Sequence, residues 1–352
     1  VKYDLFEVIS PSQTNRWLEA IKRIDGLDLH YRLEYCRLWA DDGWPEMFVY
    51  QEGNDYLVYP YIIRSINQIP GFKDKLSEEL YDITTPYGFG GPITSQEAGI
   101  KFRENFYQCF SRYCCEKNII SEFIRFHPLL ENHRLWEEQL TLTQVSSNVY
   151  VDLTCSPEEL WANYDYSNRK NIKKAYKEGL KVLIEEEPFH FQEFLAIYHH
   201  TMDRNKASGS YYFPQEFYEQ LHCDLKGCFI YAHTIKDGKI ISTELLVFNE
   251  RYIHSFLGGT LLEYFSCRPN NILKHEIIEW ARSKGIKYFL LGGGYADEDG
   301  IFRYKRSFSR NGVKDFYVGK KVHNEEAVKR LEQLMIFEKR MHGENYFPPY
   351  RR

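Results

Sequence analysis

The run Cys228-Phe229-Ile230-Tyr231-Ala232-His233-Thr234-Ile235-Lys236-Asp237-Gly238-Lys239-Ile240-Ile241-Ser242-Thr243-Glu244-Leu245-Leu246-Val247-Phe248 decides the fold class. Two stretches rich in β-branched, aliphatic and aromatic residues flank Lys236-Asp237-Gly238-Lys239, and Asp-Gly supplies the positive φ angles that a tight hairpin turn needs. Downstream, Arg251 to Leu257 reads as a strand and Pro269 to Lys284 as a helix stopped by Gly285. Lys287 to Leu291 reads as a buried strand running into Gly292-Gly293-Gly294. Upstream, Val149-Tyr150-Val151-Asp152-Leu153 alternates like a strand. Ser156-Pro157-Glu158-Glu159 then opens a helix with a cap, a first-turn proline and acidic residues at its positive end. Helices follow over Ser167 to Gly179, Phe189 to Arg204 and Phe213 to Leu221. Helix, helix, hairpin, strand, helix, strand is an α/β order with a mixed central sheet.

The first half shows a looser version of this order. Thr14 to Ile24 places Trp17, Leu18, Ile21 and Ile24 at helical spacing, with Ser12 or Thr14 as cap. Glu46 to Tyr50 and Tyr56 to Ile63 are extended runs about the turn Gln51-Glu52-Gly53-Asn54-Asp55. Ile100 to Lys117 returns to helix and Ile119 to Phe126 to strand. Two related α/β domains are expected, over residues 1–148 and 149–352.

Length supports that division, since 352 residues exceed the roughly 250–300 at which single cores stop growing. The 45 Lys+Arg against 50 Asp+Glu give a net charge of −5, which argues against a dedicated duplex-DNA binder. An aromatic content of 16% supplies ample apolar area for ordering and argues against disorder. No apolar run approaches the roughly 18 residues of a membrane span; the longest candidate, Tyr56 to Ile63, contains Pro60. Val1-Lys2-Tyr3-Asp4 shows no signal-peptide pattern. The eight cysteines lack Cys-x-x-Cys spacing and read as free thiols in a reducing compartment, hence a cytoplasmic expectation.

Phosphate-loop, nucleophile-elbow and His-Glu-x-x-His patterns are absent. His275-Glu276 lacks the second histidine. His199-His200, Cys223 and Cys228 have no convergent partners. Asp297-Glu298-Asp299-Gly300 fails calcium-loop spacing and reads as a solvated acidic loop. No metal is expected. Two segments stand out. Ser167 to Lys181 concentrates Arg169 and lysines on a helix, either a phosphate-receiving patch or an ordinary solvated face. Gly292-Gly293-Gly294 precedes Tyr304-Lys305-Arg306-Ser307-Phe308, where Lys305 either steadies a developing oxyanion or phosphate, or snorkels over aromatic packing. Glu244, a mid-strand carboxylate among apolar residues, is paired, edge-exposed or functional.

Four stretches, in order, resemble the Fem-type peptidyl/aminoacyl transferase family and its acetyltransferase-like relatives in the GNAT superfamily. They are Thr85-Pro86-Tyr87-Gly88-Phe89-Gly90-Gly91-Pro92; Ser167 to Ala175 with Gly179; Pro269-Asn270-Asn271-Ile272-Leu273 with Trp280-Ala281 and Lys284-Gly285-Ile286; and Gly292-Gly293-Gly294 with Gly300-Ile301 and Tyr304 to Phe308. In the last stretch Tyr304 stands where the family usually has Phe in Phe-Lys-x-x-Phe. The resemblance implies two tandem GNAT-like domains, the first on the acceptor-cleft side and the second carrying acyl transfer. It implies Lys305 as the charge-steadying lysine and Arg169 as the holder of an acceptor phosphate. Tyr87, Gly90 and Gly91 would line the acceptor cleft, Asn171 and Asn271 would anchor it, and Tyr304 and Tyr212 would contact substrate. Two features depart from the pattern. Gly179 to Phe213 is too short for the long helical arm of some Fem enzymes, and no Arg/Gln-x-x-Gly-x-Gly/Ala loop for a coenzyme A pyrophosphate is present.

The expected activity is N-acyl transfer from acyl-CoA to an amine of a sugar or peptide on a nucleotide- or lipid-linked envelope or surface-polysaccharide precursor. Asp82, Glu244 and Tyr212 are the candidate bases. The alternative within the fold is an aminoacyl-tRNA-dependent transferase acting on a peptidoglycan precursor. A non-catalytic module holding a phosphorylated ligand is the alternative of another class. DNA is not an expected partner. Membrane contact would be peripheral at most, through Leu334 to Met341 and Phe347-Pro348-Pro349-Tyr350-Arg351-Arg352, which otherwise dock on their own domain.

Overall fold

The computed structural model describes residues 6–41, 43–95, 98–294, 299–337 and 346–351. The chain divides into two compact units, Val1–Val145 with Asp315–Arg352, and Ser146–Lys314.

The first unit runs β1 (Phe6–Ile9), α1 (Thr14–Lys22), α2 (Leu33–Leu38), β2 (Gly43–Glu52), β3 (Asp55–Ser65), β4 (Tyr81–Thr84), β5 (Ile93–Thr94), α3 (Ile100–Glu116) and β6 (Ile119–Arg125). Its sheet order is β1-β2-β3-β4-β6, with β5 on β3. The β2–β3 hairpin closes at Glu52↔Asp55, with Gly53 at φ +59 in the turn. Helix α3 lays Phe102, Phe106, Tyr107 and Phe110 against Phe48, Tyr50 and Tyr59 of the sheet. Each such fully buried ring contributes on the order of 2–3 kcal/mol.

Two later elements complete this unit, β13 (Val313–Val322) and α10 (Glu325–Phe337). β13 pairs antiparallel with β6, from Val318↔Arg125 to Val322↔Ser121. Ala327, Val328, Leu331 and Met335 of α10 cluster with Ile66, Phe72, Leu80 and Ile120. The sequence reading placed residues 149–352 in one domain, whereas Asp315–Arg352 belongs with the first unit. The reason is electrostatic as well as topological. Asp82 has no solvent exposure and is neutralised by Arg64 at 2.8 Å and by Arg351 at 2.5 Å. A buried carboxylate requires such partners, and one of them comes from the end of the chain. Of the tail read from the sequence, residues 338–341 and 352 lie outside the described residues.

The second unit runs β7 (Thr141–Asp152, from Ser146), α4 (Pro157–Asn163), α5 (Tyr166–Lys177), β8 (Lys181–Glu185), α6 (Phe191–Arg204), α7 (Gln215–Asp224), β9 (Phe229–Lys236), β10 (Lys239–Phe248), β11 (Tyr252–Thr260), α8 (Pro269–Ser283), β12 (Tyr288–Gly292) and α9 (Gly300–Arg306). Its sheet order is β7-β12-β11-β10-β9-β8. The hairpin turn has Asp237 at φ +51 and Gly238 at φ +82, the two positive angles that Asp-Gly tolerates. Ser156 accepts from the Glu159 amide and Glu159 returns a bond to the Ser156 amide, a full capping box. Alternation along β9 turns Ile230 and Ala232 toward Ile277 and Ile278 of α8, while Tyr231 meets Phe194 of α6. The sheet is therefore covered by helices on both faces. Among the described residues no helix is long and apolar enough to cross a membrane, and none of the eight cysteines is in a disulfide.

Candidate active site

The second sheet opens where β11 and β12 meet. These parallel strands pair only from Tyr252↔Tyr288 to His254↔Leu290, although β11 continues to Thr260. Among the described residues the β11–β12 pairing does not continue beyond His254. Gly292, at φ +80, ends β12 in a backbone conformation that a side chain would strain. A Cβ there would also lie 3.3 Å from Lys305 Nζ. On the opposite side, a Cβ on Gly259 would sit 2.6 Å from Thr201 Oγ1 and 2.7 Å from the Ile197 carbonyl. The bare backbone lets α6 approach and bring Thr201 and Arg204 to the opening. A cavity of about 200 Å³ results, lined by Thr201, Arg204, Glu244, Lys274 and Tyr304 among others.

A buried charge cluster forms its polar side. Lys274 Nζ donates to both Glu244 oxygens, at 2.5 and 2.6 Å, and to Ser255 Oγ at 2.9 Å. Ser255 Oγ donates to Glu244 Oε1 in turn. The side chains of Lys274 and Glu244 are 7% and 9% exposed, so each ion depends on the other for solvation. Glu244 is thus the paired carboxylate, not an uncommitted base. The sequence reading missed Lys274. Its signal is positional: Asn271, Lys274, Ile278 and Ala281 recur at helical spacing on the buried stripe of α8.

Lys305 sits on α9, whose first turn is fixed by Asp299 accepting from the Phe302 amide at 2.6 Å. Its Nζ donates to the Gly293 carbonyl at 2.6 Å. Burial, then repulsion from Lys274, lowers its pKa to about 8 against weaker attraction by Glu244 and Asp299. Lys274, Glu244 and Tyr304 line the cavity, whereas Lys305 lies outside its lining but near enough to feel the Lys274 and Glu244 charges. Tyr304 donates through its hydroxyl to the Asn270 carbonyl at 2.9 Å, and burial followed by the Glu244 charge raises its pKa. Phe308 is fully buried and packs edge-on against Tyr164 and Tyr304. This packing fixes the helix that carries Lys305.

The other sequence-selected residues fall elsewhere. Arg169 directs Nη1 at the Trp161, Ala162 and Tyr164 carbonyls, so this guanidinium edge caps the end of α4. Asn271 donates to Asn168 Oδ1 at 2.8 Å, and Asn168 donates to the Ser307 carbonyl at 3.1 Å, which ties α8, α5 and the end of α9 together. The anchoring asparagine of α5 is Asn168, fully buried, while Asn171 is half-buried one turn on. Tyr212 donates to Asp203 at 2.6 Å, a bond that raises its pKa. Asp82 is bound by two arginines as described. In the first unit, Tyr87 is 53% exposed and stacks on Trp39 at 4.7 Å. Gly90 and Gly91 carbonyls accept from Asn132 and Tyr31, each at 3.0 Å. Gly91 lies at φ +92, and a Cβ there would meet Ile124 Cγ2 at 2.8 Å, so its smallness serves packing. Tyr295, Asp297 and Glu298 of the acidic loop lie outside the described residues.

Residues 163–306 match the family model of the acetyltransferase (GNAT) domain. No curated protein matches the chain by sequence. Among solved structures, that of FemX is similar at a TM-score of 0.69 and 12% identity, over 93% of this chain and 100% of the other. L-PGS from Bacillus licheniformis gives 0.51 and 12% over 96% and 99% of the two chains. A tandem GNAT protein from the clavulanic acid biosynthesis pathway gives 0.50 and 8% over 91% and 99%. The second unit is therefore similar to the acetyltransferase (GNAT) domain over residues 163–306, and the chain shares the fold of FemX and of a tandem GNAT protein.

Proposed function

We propose that the protein is an N-acyltransferase that moves an acyl group from acyl-CoA to an amine of a sugar or peptide, on a nucleotide- or lipid-linked envelope precursor. The observation that carries this reading is Lys305, a half-buried ammonium held by the Gly293 carbonyl where β11 and β12 part. The part of β11 past its pairing with β12, with Gly258 and Gly259 in it, fits a donor that must approach backbone closely. Acyl-CoA would supply a thioester whose carbonyl carbon takes the amine nitrogen and whose sulfur departs with the proton that nitrogen loses.

Lys305 acts as the electrophilic group. Its ammonium faces charge that grows on the carbonyl oxygen, in a pocket where a preoriented donor needs no reorganisation. Lys274 and Glu244 pair with each other, and the repulsion Lys305 feels from Lys274 exceeds the attraction of Glu244. Tyr304 and Phe308 keep the lysine from swinging away. Replacing Lys305 by Ala should lower kcat at least about tenfold, or ~1.4 kcal/mol of barrier, with the circular-dichroism spectrum unchanged. Parental rates in a folded variant would remove this lysine from the reaction.

A second reading, an aminoacyl-tRNA-dependent transferase, is supported by the exposed lysines Lys170, Lys173, Lys174 and Lys177 on α5. Stabilisation by each donor separates the two. Ligand at ~100 times its dissociation constant adds about 2.7 kcal/mol to stability. A melting shift with coenzyme A and none with aminoacyl-tRNA is the expected pattern; the reverse selects the tRNA-dependent reaction. If Lys305→Ala weakens a phosphorylated ligand in a protein with no turnover toward either donor, the chain is a binding module.

A further inference from the structure

A second cluster of ionisable groups lies in the same unit and takes no part in the reaction proposed above. Glu185 ends β8, the edge strand of the sheet. His190 stands at the start of α6, and His233 lies on the neighbouring strand β9. His190 Nδ1 donates to Glu185 Oε1 at 2.7 Å. The other carboxylate oxygen, Oε2, lies 3.3 Å from His233 Nε2. His233 has no solvent exposure, yet its Nε2 makes no hydrogen bond. A buried ring nitrogen aimed at a carboxylate without a bond to it is rare, because leaving it unsatisfied costs about 1–3 kcal/mol.

We propose that Glu185, His190 and His233 form a binding site for a divalent transition-metal ion of the zinc type. One donor atom from each residue lies within 4.8 Å of the others. With bonds of about 2.0–2.1 Å, tetrahedral ligands stand about 3.3 Å apart. The Glu185 Oε2–His233 Nε2 pair already has that separation, while His190 Nδ1 now lies on the other carboxylate oxygen, Oε1, at 2.7 Å and would release it to bind the ion. Two imidazoles and one carboxylate suit zinc and its first-row neighbours better than calcium or magnesium, which prefer all-oxygen shells. The second shell is also present. His233 Nδ1 lies 2.9 Å from Thr243 Oγ1, so a proton on Nδ1 can be donated to that hydroxyl, leaving the Nε2 lone pair for the metal. His190 is 40% exposed on its side chain, so the fourth position opens to water and gives the ion a path in.

Three ligands on β8, α6 and β9 would clamp the sheet edge to the helix whose other end supplies Thr201 and Arg204 to the cavity. The ion is thus structural, and does not touch the reacting atoms.

The test uses the full chain, freed of metal with a chelator and kept reduced so that its thiols are defined. Zinc should bind at one equivalent and raise the melting temperature by about 5 °C or more at saturation. Cobalt(II) in its place should give visible d–d bands of a tetrahedral N/O site without thiolate-to-metal charge transfer. His190→Ala, on the surface, should leave the metal-free melting temperature close to the parental value and abolish both effects. Glu185→Gln should do the same, giving a second route if one variant folds poorly. No uptake of either ion, thiolate charge-transfer bands, or one-equivalent binding that survives in both folded variants would each overturn the proposal. Because these readouts do not involve acyl transfer, they stand or fall independently of the reaction proposed for the cavity.

Discussion

Lys305 carries two opposed demands, and both are measurable. A lysine whose pKa is lowered on folding destabilises the folded state while it remains charged there. That penalty is fully present below its folded pKa of about 8 and is relieved as pH rises toward the ordinary lysine value. Lys305→Met should therefore raise the melting temperature of the second unit by a few degrees at pH 7 and by less near pH 10, while abolishing turnover. Activity has the same origin and the opposite sign. If the ammonium is the reactive form, kcat falls as pH rises through about 8. Lys305→Arg, whose guanidinium stays charged, should move that falling limb upward by more than one pH unit. A limb that stays in place would assign it to another group. The buried Lys274–Glu244 pair makes a different prediction. Glu244→Gln alone strands a buried ammonium and should cost about 3–5 kcal/mol, whereas Glu244→Gln with Lys274→Met should recover most of it. Denaturant titration of the single and double variants decides the point.

Among the elements, α6 illustrates how one glycine sets a wall. Gly259→Ala places a methyl within 3 Å of Thr201 Oγ1 and the Ile197 carbonyl, neither of which can yield without moving the helix. The variant should raise KM more than it lowers kcat, because Thr201 and Arg204 line the cavity and Lys305 does not depend on α6. An unchanged KM would show that α6 adjusts at no cost to binding. Several elements were legible because local chemistry alone dictates them. The Ser156 capping box, the Asp237-Gly238 turn and the aromatic stripe of α3 all fall where spacing and turn chemistry place them. The site was half legible. Lys305 and Glu244 stood out, one in a motif and the other as a charge inside an apolar strand. Lys274 did not, because a lysine on a helix ordinarily reads as solvated until its stripe is followed to Asn271 and Ile278. Arg169 was misread for a related reason. Its basic neighbours are exposed, but its own guanidinium is used at the end of α4, a short-range contact that composition does not reveal.

At the scale of the molecule, the sequence suggested a cut near residue 150, whereas the chain crosses the units twice, near 145 and again near 314. The return was not legible because β13 pairs with β6 from almost 200 residues away in sequence, and long-range pairing leaves no local pattern. The second unit is one continuous stretch, while the first is assembled from two pieces. The order in which the units can be completed then inverts the order in which they begin in the sequence. On a ribosome, residues 146–314 hold every strand of their own sheet as soon as they emerge. The earlier-made β1 to β6 must wait, with the outer edge of β6 bare and Asp82 lacking one of its two arginines. Nascent chains stalled with residue 314 just clear of the tunnel should yield a protease-resistant fragment from the second unit while the first is cut. Stalling after residue 352 has cleared should protect both. Equal protection of the two units in the shorter chain would mean that β1 to β6 hold together unaided. During that interval an open strand edge is available to any other strand, so the vulnerability of this protein to aggregation is a property of its making rather than of its finished form.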